Sequence, residues 1–149
     1  MEFARSVDGL YRERILEHAR LPHNWSPPAS PLARVDLQFR DLNPVCGDDL
    51  TVKLAVQADG EISDVRFEGH GCAICQAAAS MASDAIRHRR TSEILALDRS
   101  FILELLGTEI PPLRLRCALL PLKVLKGAAL GRPADWEPGA AAGADRREP

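Results

Sequence analysis

The sequence as a whole carries no excess of positive charge: its formal net charge is -2, its isoelectric point lies near 6.1, and a basic stripe is absent. A nucleic-acid partner is therefore not expected, because holding a phosphate backbone takes clustered lysine and arginine. Long hydrophobic runs are also missing, and the apolar segments fall far short of the about 20 residues that a membrane-spanning helix requires. The opening segment holds Glu2, Arg5, Asp8, Arg12, Glu13, Arg14 and Glu17, too much charge for a secretory signal peptide. These absences lead to the expectation of a soluble cytoplasmic protein without a membrane partner. Cysteine is scarce, at four residues. In a compartment that keeps thiols reduced, those four read as groups for metal or sulfur chemistry and not as two disulfides. At 149 residues the chain suffices for one domain with a core and is too short for two of ordinary size.

What is present is periodicity. Val7 to Arg20 place Leu10, Ile15 and Leu16 on or near one face, which predicts an amphipathic helix stopped by Pro22. Pro27, Pro28 and Pro31 make the segment from Trp25 to Pro31 an extended surface loop. Val35, Leu37 and Phe39 alternate with Asp36, Gln38 and Arg40, and Leu50, Val52, Leu54 and Val56 repeat the pattern. Asp59-Gly60 marks a hairpin turn, after which Val65 and Phe67 carry a returning strand. The fold class expected is α+β, with a three-stranded antiparallel sheet packed against several helices. One cover is the stripe Ile74, Ala77, Ala78, Met81, Ala82, Ala85 and Ile86, which has helical period. Thr91 to Leu97 and Ser100 to Leu106 read as shorter helices, each opened by a hydroxyl cap, with Gly107 ending the second. Pro111-Pro112 forms a rigid link. A final helix is expected from about Ala118 to about Leu130, with Leu119, Leu122, Leu125 and Ala129 inward, because Pro121 opposes helix much before Cys117. From Arg132 the apolar period stops, so one domain over residues 1–131 and a disordered tail over 132–149 are expected.

The chemistry centres on Asn43-Pro44-Val45-Cys46-Gly47-Asp48, where a thiol and a carboxylate stand two residues apart in a tight turn between strands. Gly47 can take the positive φ that such a bend needs. Gly71-Cys72-Ala73-Ile74-Cys75 opens the alanine-rich helix, and Arg116-Cys117 stands at the mouth of the last one, where the helix dipole favours thiolate. Convergence of the three turns would join Cys46, Asp48, Cys72 and Cys117 into a soft donor set with one oxygen. Such a set suits Zn²⁺ in tetrahedral geometry or iron in a sulfide cluster. An oxygen among sulfurs holds these metals less tenaciously, as a storage or transfer site requires. Asp49 is as good a carboxylate on composition. Cys75, one turn beyond Cys72, either reaches the same ion or packs as a small core residue. Arg116 either faces solvent or steadies a neighbouring thiolate. His70 reads as a strand-end residue, and His18, His23 and His88 as surface residues.

Leu10-Tyr11, Ile15, His18, Pro22, Asn24, the Asn43 to Asp48 turn, Phe67-Glu68-Gly69-His70-Gly71-Cys72 and Arg116-Cys117 occur in one order. Over roughly residues 8 to 130 the chain thereby resembles the iron-sulfur cluster assembly scaffolds of the IscU/NifU N-terminal family and its SufU branch. The resemblance implies a SufE/NifU-like α+β domain with its metal or cluster site at one end, formed by Cys46, Asp48, Cys72 and Cys117. It implies sulfur accepted from a pyridoxal-phosphate cysteine desulfurase, and either a 2Fe-2S cluster built on iron or sulfur passed onward to apo recipient proteins. Cys117 is the first choice for the persulfide and Cys46 the second. The alternative within the resemblance is a zinc-dependent sulfurtransferase that stimulates the desulfurase. Arg116 stands where IscU-type proteins carry histidine, which points to the SufU branch; the compact step from Cys72 to Cys117 resembles the IscU form. Ile110-Pro111-Pro112-Leu113-Arg114 looks like the proline segment by which IscU scaffolds engage an Hsp70-type chaperone, or else is a rigid loop.

Overall fold

A computed structural model describes the backbone of residues 2–134 and the side chains of residues 9–134. A long helix, α1 (Glu2–Arg20), precedes three strands, β1 (Leu37–Asn43), β2 (Asp48–Val56) and β3 (Ile62–His70). Four helices follow: α2 (Ala73–Ile86), α3 (Thr91–Leu95), α4 (Arg99–Leu106) and α5 (Leu115–Leu130), the last entered through a 3₁₀ turn at Pro112–Arg114. Among the described residues no helix is long and apolar enough to cross a membrane.

The sheet runs β1-β2-β3, antiparallel throughout, as the alternation predicts. Its register pairs Asn43 with Asp48 and Asp49 with His70, so the 43–48 turn and the end of β3 share one end of the sheet. Leu50, Val52 and Leu54 of β2 and Ile62, Val65 and Phe67 of β3 are fully buried on the inner face. Helix α5 lies across β1 and β2 there, with α2 beside it. The approach of α5 to β1 depends on Gly127, where a Cβ would sit 2.5 Å from the Phe39 ring.

Several expectations are corrected. Leu10 and Leu16 are 65 and 50 % exposed, and Ile15 alone of the three enters the core. Helix α2 buries far more than a stripe: Cys75, Ala79, Ser80 and Ser83 are inside as well, because α1 covers one flank and α5 another. The caps of α3 and α4 are not hydroxyls. Arg90 precedes α3, with Glu93 reaching back to its N–H, and the Asp98 carboxylate caps α4 by accepting from Ser100 N–H. Helix α5 starts at Leu115 and encloses Pro121. The missing proline N–H spares only one bond, to the Cys117 carbonyl in the first turn, while the ring is buried in the core. Gly107 and Gly131 end α4 and α5 in the left-handed conformation. The tail expectation falls, for residues 135–149, outside the described residues.

The loop after α1 is more than a surface connection. Trp25 is 6 % exposed, and Phe67 exchanges backbone hydrogen bonds with Asn24 and Ser26, so the loop seals the outer edge of β3. A polar clasp then locks it to α2. His18 Nδ1 and the His23 N–H both meet Ser80 Oγ at 2.7 Å, His23 Nδ1 meets Asp84 at 2.6 Å, and the Asn24 amide donates to Ser83 and Asp84. Thus His18 and His23 hold tertiary structure, although the His23 side chain, like that of His88, stays more than half exposed on its loop, as the sequence leads one to expect.

Burial holds the His18 pKa below its ordinary 6.5, helped by His23 and Arg14 and opposed by Asp84 and Glu17. The neutral form is the one that fits, so the clasp contributes fully above pH 6.5 and loses strength as the pH falls below that value toward the lowered folded one. Denaturant midpoints between about pH 7.5 and about pH 5 should decline, with a shallower decline in His18→Gln. Gly127→Ala sets a gain in helix propensity of about 1 kcal/mol against overpacking of about 1–3 kcal/mol. Because the obstructing atoms include Phe39 Cγ, which cannot swing away, the variant should be the less stable one in chemical denaturation.

Candidate metal centre

Three chain turns meet at the 43–48 end of the sheet. Gly47, at φ 74°, lets the chain double back after Cys46, whose N–H bonds the Asn43 carbonyl at 3.2 Å. Side chains of β2 then alternate. Asp48 turns inward and is 2 % exposed, whereas Asp49 turns outward into a two-pronged pair with Arg40 at 2.9 and 2.8 Å, which lowers its pKa. Composition leaves the two carboxylates equivalent; strand parity separates them.

Two glycines bring the second turn in. At Gly69, φ is 116° and a Cβ would lie 2.1 Å from the Asp49 carbonyl oxygen, so β3 approaches β2 as only glycine allows. Cys72 follows as the N-cap of α2, and its backbone N–H donates to Asp48 Oδ1 at 2.9 Å. The third turn is the start of α5, which places Cys117 in the first turn, wholly buried.

The ligand atoms of Cys46, Asp48 and Cys117 all lie within 4.8 Å of one another. Cys72 stands outside that tightest group but close enough to help raise the Cys117 pKa. Cys46 and Cys72 are half-exposed, Cys75 and Cys117 buried, and all four are free thiols. Asn43, which sequence reasoning treats only as part of the turn, is 6 % exposed and donates its amide to Asp48 Oδ2 at 3.3 Å and to Cys117 Sγ at 3.7 Å. Arg114 is a second residue not singled out for the site. Its Nη1 lies 3.9 Å from Cys46 Sγ, and its bond to Cys117 and the neighbouring sulfurs raise its pKa. Adjacency to Cys117 favours Arg116 in the sequence, yet Arg114, one turn earlier, is the guanidinium set on the sulfurs. The position i-3 from a cysteine at a helix start is the signal that would have found it.

The expectation that the α5 dipole makes Cys117 a ready thiolate is reversed. Burial comes first in pushing the Cys117 thiol up, and its hydrogen bonds to Cys46, Asp48 and Cys72 add to that. Cys75 is likewise pushed up by burial, with Asp48, Cys72 and Cys46 contributing.

These donors fit a soft divalent ion. Asp48 is a buried carboxylate with no ion pair among the described residues, held by the Asn43 amide and the Cys72 backbone N–H. Sulfur with one oxygen suits tetrahedral Zn²⁺, and thiolates suit iron in sulfide clusters. A bound cation would offset the charge on Asp48 and make deprotonation of Cys117 favourable.

Comparison with known proteins agrees with this geometry. A family model for the NifU-like N terminal domain matches residues 10–132. The chain is 33 % identical over 148 residues to the zinc-dependent sulfurtransferase SufU of Bacillus subtilis, covering 87 % of this chain and 96 % of that one. It is 26 % identical over 124 residues to the iron-sulfur cluster assembly scaffold protein IscU of Azotobacter vinelandii, covering 79 and 90 %. Among solved structures, FiSufU of Fervidobacterium islandicum, a candidate scaffold protein for the SUF system, is similar with a TM-score of 0.61 at 26 % identity. That match covers 78 % of this chain and 94 % of the other.

Removing the Asn43 amide takes away the donor to Asp48 Oδ2. Asn43→Ala should lose about 1–3 kcal/mol of stability at neutral pH, the range for stranding a buried polar group. Urea denaturation measures it, and Leu42→Ala, at the 47 % exposed neighbour, should change stability far less.

Proposed function

The chain belongs to the NifU-like N-terminal domain family, and from that membership we propose that it is an assembly scaffold for iron-sulfur clusters. It takes sulfur from a pyridoxal-phosphate cysteine desulfurase and carries iron, or a 2Fe-2S cluster, as cargo on Cys46, Asp48, Cys72 and Cys117. The observation that carries the reading is the approach of Cys46, Asp48 and Cys117 to within 4.8 Å at a corner whose rim holds half-exposed Cys46 and Cys72. Cargo has to enter and leave, and a rim of two reachable thiols over a buried carboxylate and a buried thiol suits that traffic.

Each residue has a part. Asn43 holds Asp48 and Cys117 in place, and the Cys72 N–H fixes the other carboxylate oxygen. Cys117 and Cys46 are the sulfur acceptors, and Arg114 lies across both, where its charge draws an anionic persulfide inward. Val45, 81 % exposed beside Cys46, offers the donor an apolar contact. Leu113, 87 % exposed in the Ile110 to Arg114 segment, suits capture by an Hsp70-type chaperone, and apo recipient proteins take the product. Four free cysteines fit a cytoplasmic setting that keeps thiols reduced.

A second reading is favoured by the 33 % identity to a SufU named as a zinc-dependent sulfurtransferase. In it the same residues hold Zn²⁺, which when bound supplies charge that keeps the thiols deprotonated and ordered.

Anaerobic incubation with ferrous iron, cysteine and an active desulfurase separates the two. The scaffold reading expects acid-labile sulfide and a thiolate-to-iron absorption band on the chain, both lost in Cys46→Ala and Cys117→Ala. No sulfide on the wild-type chain, with the desulfurase turning over, ends that reading. Tightly held zinc together with strongly stimulated desulfurase turnover establishes the second, and stimulation unchanged in both variants removes it.

A further inference from the structure

The donor set leaves one thiol without a task. Cys75 is wholly buried at the third position of α2, while Cys72, the N-cap of the same helix, is half-exposed with φ -70° and ψ 170°. The N-cap and third helical positions face each other across the first turn, the relation on which a capping box rests. The Cys72 side chain makes no cap hydrogen bond, so its sulfur is not committed to the helix end. Cys75 packs against Gly71, the residue before Cys72: a Cβ there would stand 2.8 Å from Cys75 Sγ and 3.2 Å from Asp48 Oδ1. Cys72 is also a neighbour of Cys117, whose pKa it raises. Cys72 therefore has a buried thiol one helical turn away along α2 and Cys117 as a neighbour across the site.

We infer that Cys75 is a resolving thiol, which attacks a persulfide carried on Cys72, closes a Cys72–Cys75 disulfide and sets the delivered sulfur free as hydrogen sulfide. The inference rests on the sulfur-accepting role proposed above. Sulfur first passes from Cys117 when the Cys72 sulfur attacks the outer atom of the Cys117 persulfide. The old sulfur–sulfur bond breaks, a new one forms on Cys72, and Cys117 returns to thiol. The Cys75 sulfur then attacks the inner sulfur of the Cys72 persulfide. The outer atom leaves as hydrosulfide and takes up the proton that Cys75 gave up. The departing sulfur gains two electrons and the two cysteines lose them, so the persulfide is itself the oxidant. Making one sulfide consumes no outside reductant, and a dithiol reductant reopens the disulfide for the next round. Burial restricts Cys75 to intramolecular partners, and the half-exposed N-cap gives sulfur its entry.

The test treats the protein as purified with glutathione persulfide, removes small thiols and adds no reductant. Released sulfide is measured, along with the mass of the tryptic peptide Phe67–Arg87, which holds Cys72 and Cys75 and neither of the other cysteines. The wild-type chain should release about one equivalent of sulfide and yield that peptide lighter by two hydrogens. Cys75→Ser and Cys75→Ala should each keep the added sulfur and release at least about tenfold less sulfide. A wild-type chain that retains persulfide with the peptide fully reduced overturns the inference and leaves the scaffold reading standing. A disulfide joining Cys75 to Cys46 or Cys117 overturns it as well. A chain that takes up no persulfide overturns both.

Discussion

The buried carboxylate of Asp48 is the constraint around which this corner is built. One oxygen accepts from the Asn43 amide at the end of β1, and the other from the Cys72 backbone at the start of α2. A single side chain on β2 thus ties the preceding strand to the following helix. An ionised group removed from water is tolerated only when its lone pairs are occupied, so the 43–48 turn and the helix start are not free to drift apart. The positions of Cys46 and Cys72 follow from that tie. Cys117 arrives separately, on a helix whose path is set by Gly127 against Phe39, and the same Asn43 amide receives it. Three segments distant in the chain are brought together by two small polar side chains.

Most of the sheet and the α2 cover were legible because their periods are local. Leu50, Val52 and Leu54 alternate cleanly, and the register that puts Asn43 opposite Asp48 follows from a short turn with glycine at its bend. What was not legible depended on partners far away in sequence. Ser80 and Ser83 are buried because His18, His23 and Asn24 come back to bond them, and no window of the α2 sequence contains that information. Leu16 looks inward on a helical wheel, yet among the described residues it stays 50 % exposed. Pro121 reads as a helix boundary, whereas packing around its ring outweighs the one hydrogen bond it removes.

At the candidate site the legible part was the ligand types and the illegible part their surroundings. Cys46, Asp48, Cys72 and Cys117 are recognisable from their turns. Arg114 is not, because its reach to Cys46 and Cys117 depends on how the 3₁₀ turn hands over to α5. The protonation argument also changed sign with the third dimension. A helix start favours thiolate in the open, but Cys117 lies beneath the rim, where burial is the first cause that raises its pKa. The site therefore accepts a proton or a cation readily in the place where sequence alone suggests a resident negative charge.

The loop that seals β3 bears on how the molecule behaves in a crowded solution. A sheet margin with unsatisfied backbone groups is a template for strand addition, and many copies of such a protein polymerise through it. Here Asn24 and Ser26 take up the outward backbone groups of Phe67 at the middle of β3. The opposite margin is a seven-residue strand carrying Arg40 and Asp41, whose charges oppose flush stacking by another chain. A protein that opens one corner to admit cargo thus leaves neither flank inviting to its own kind.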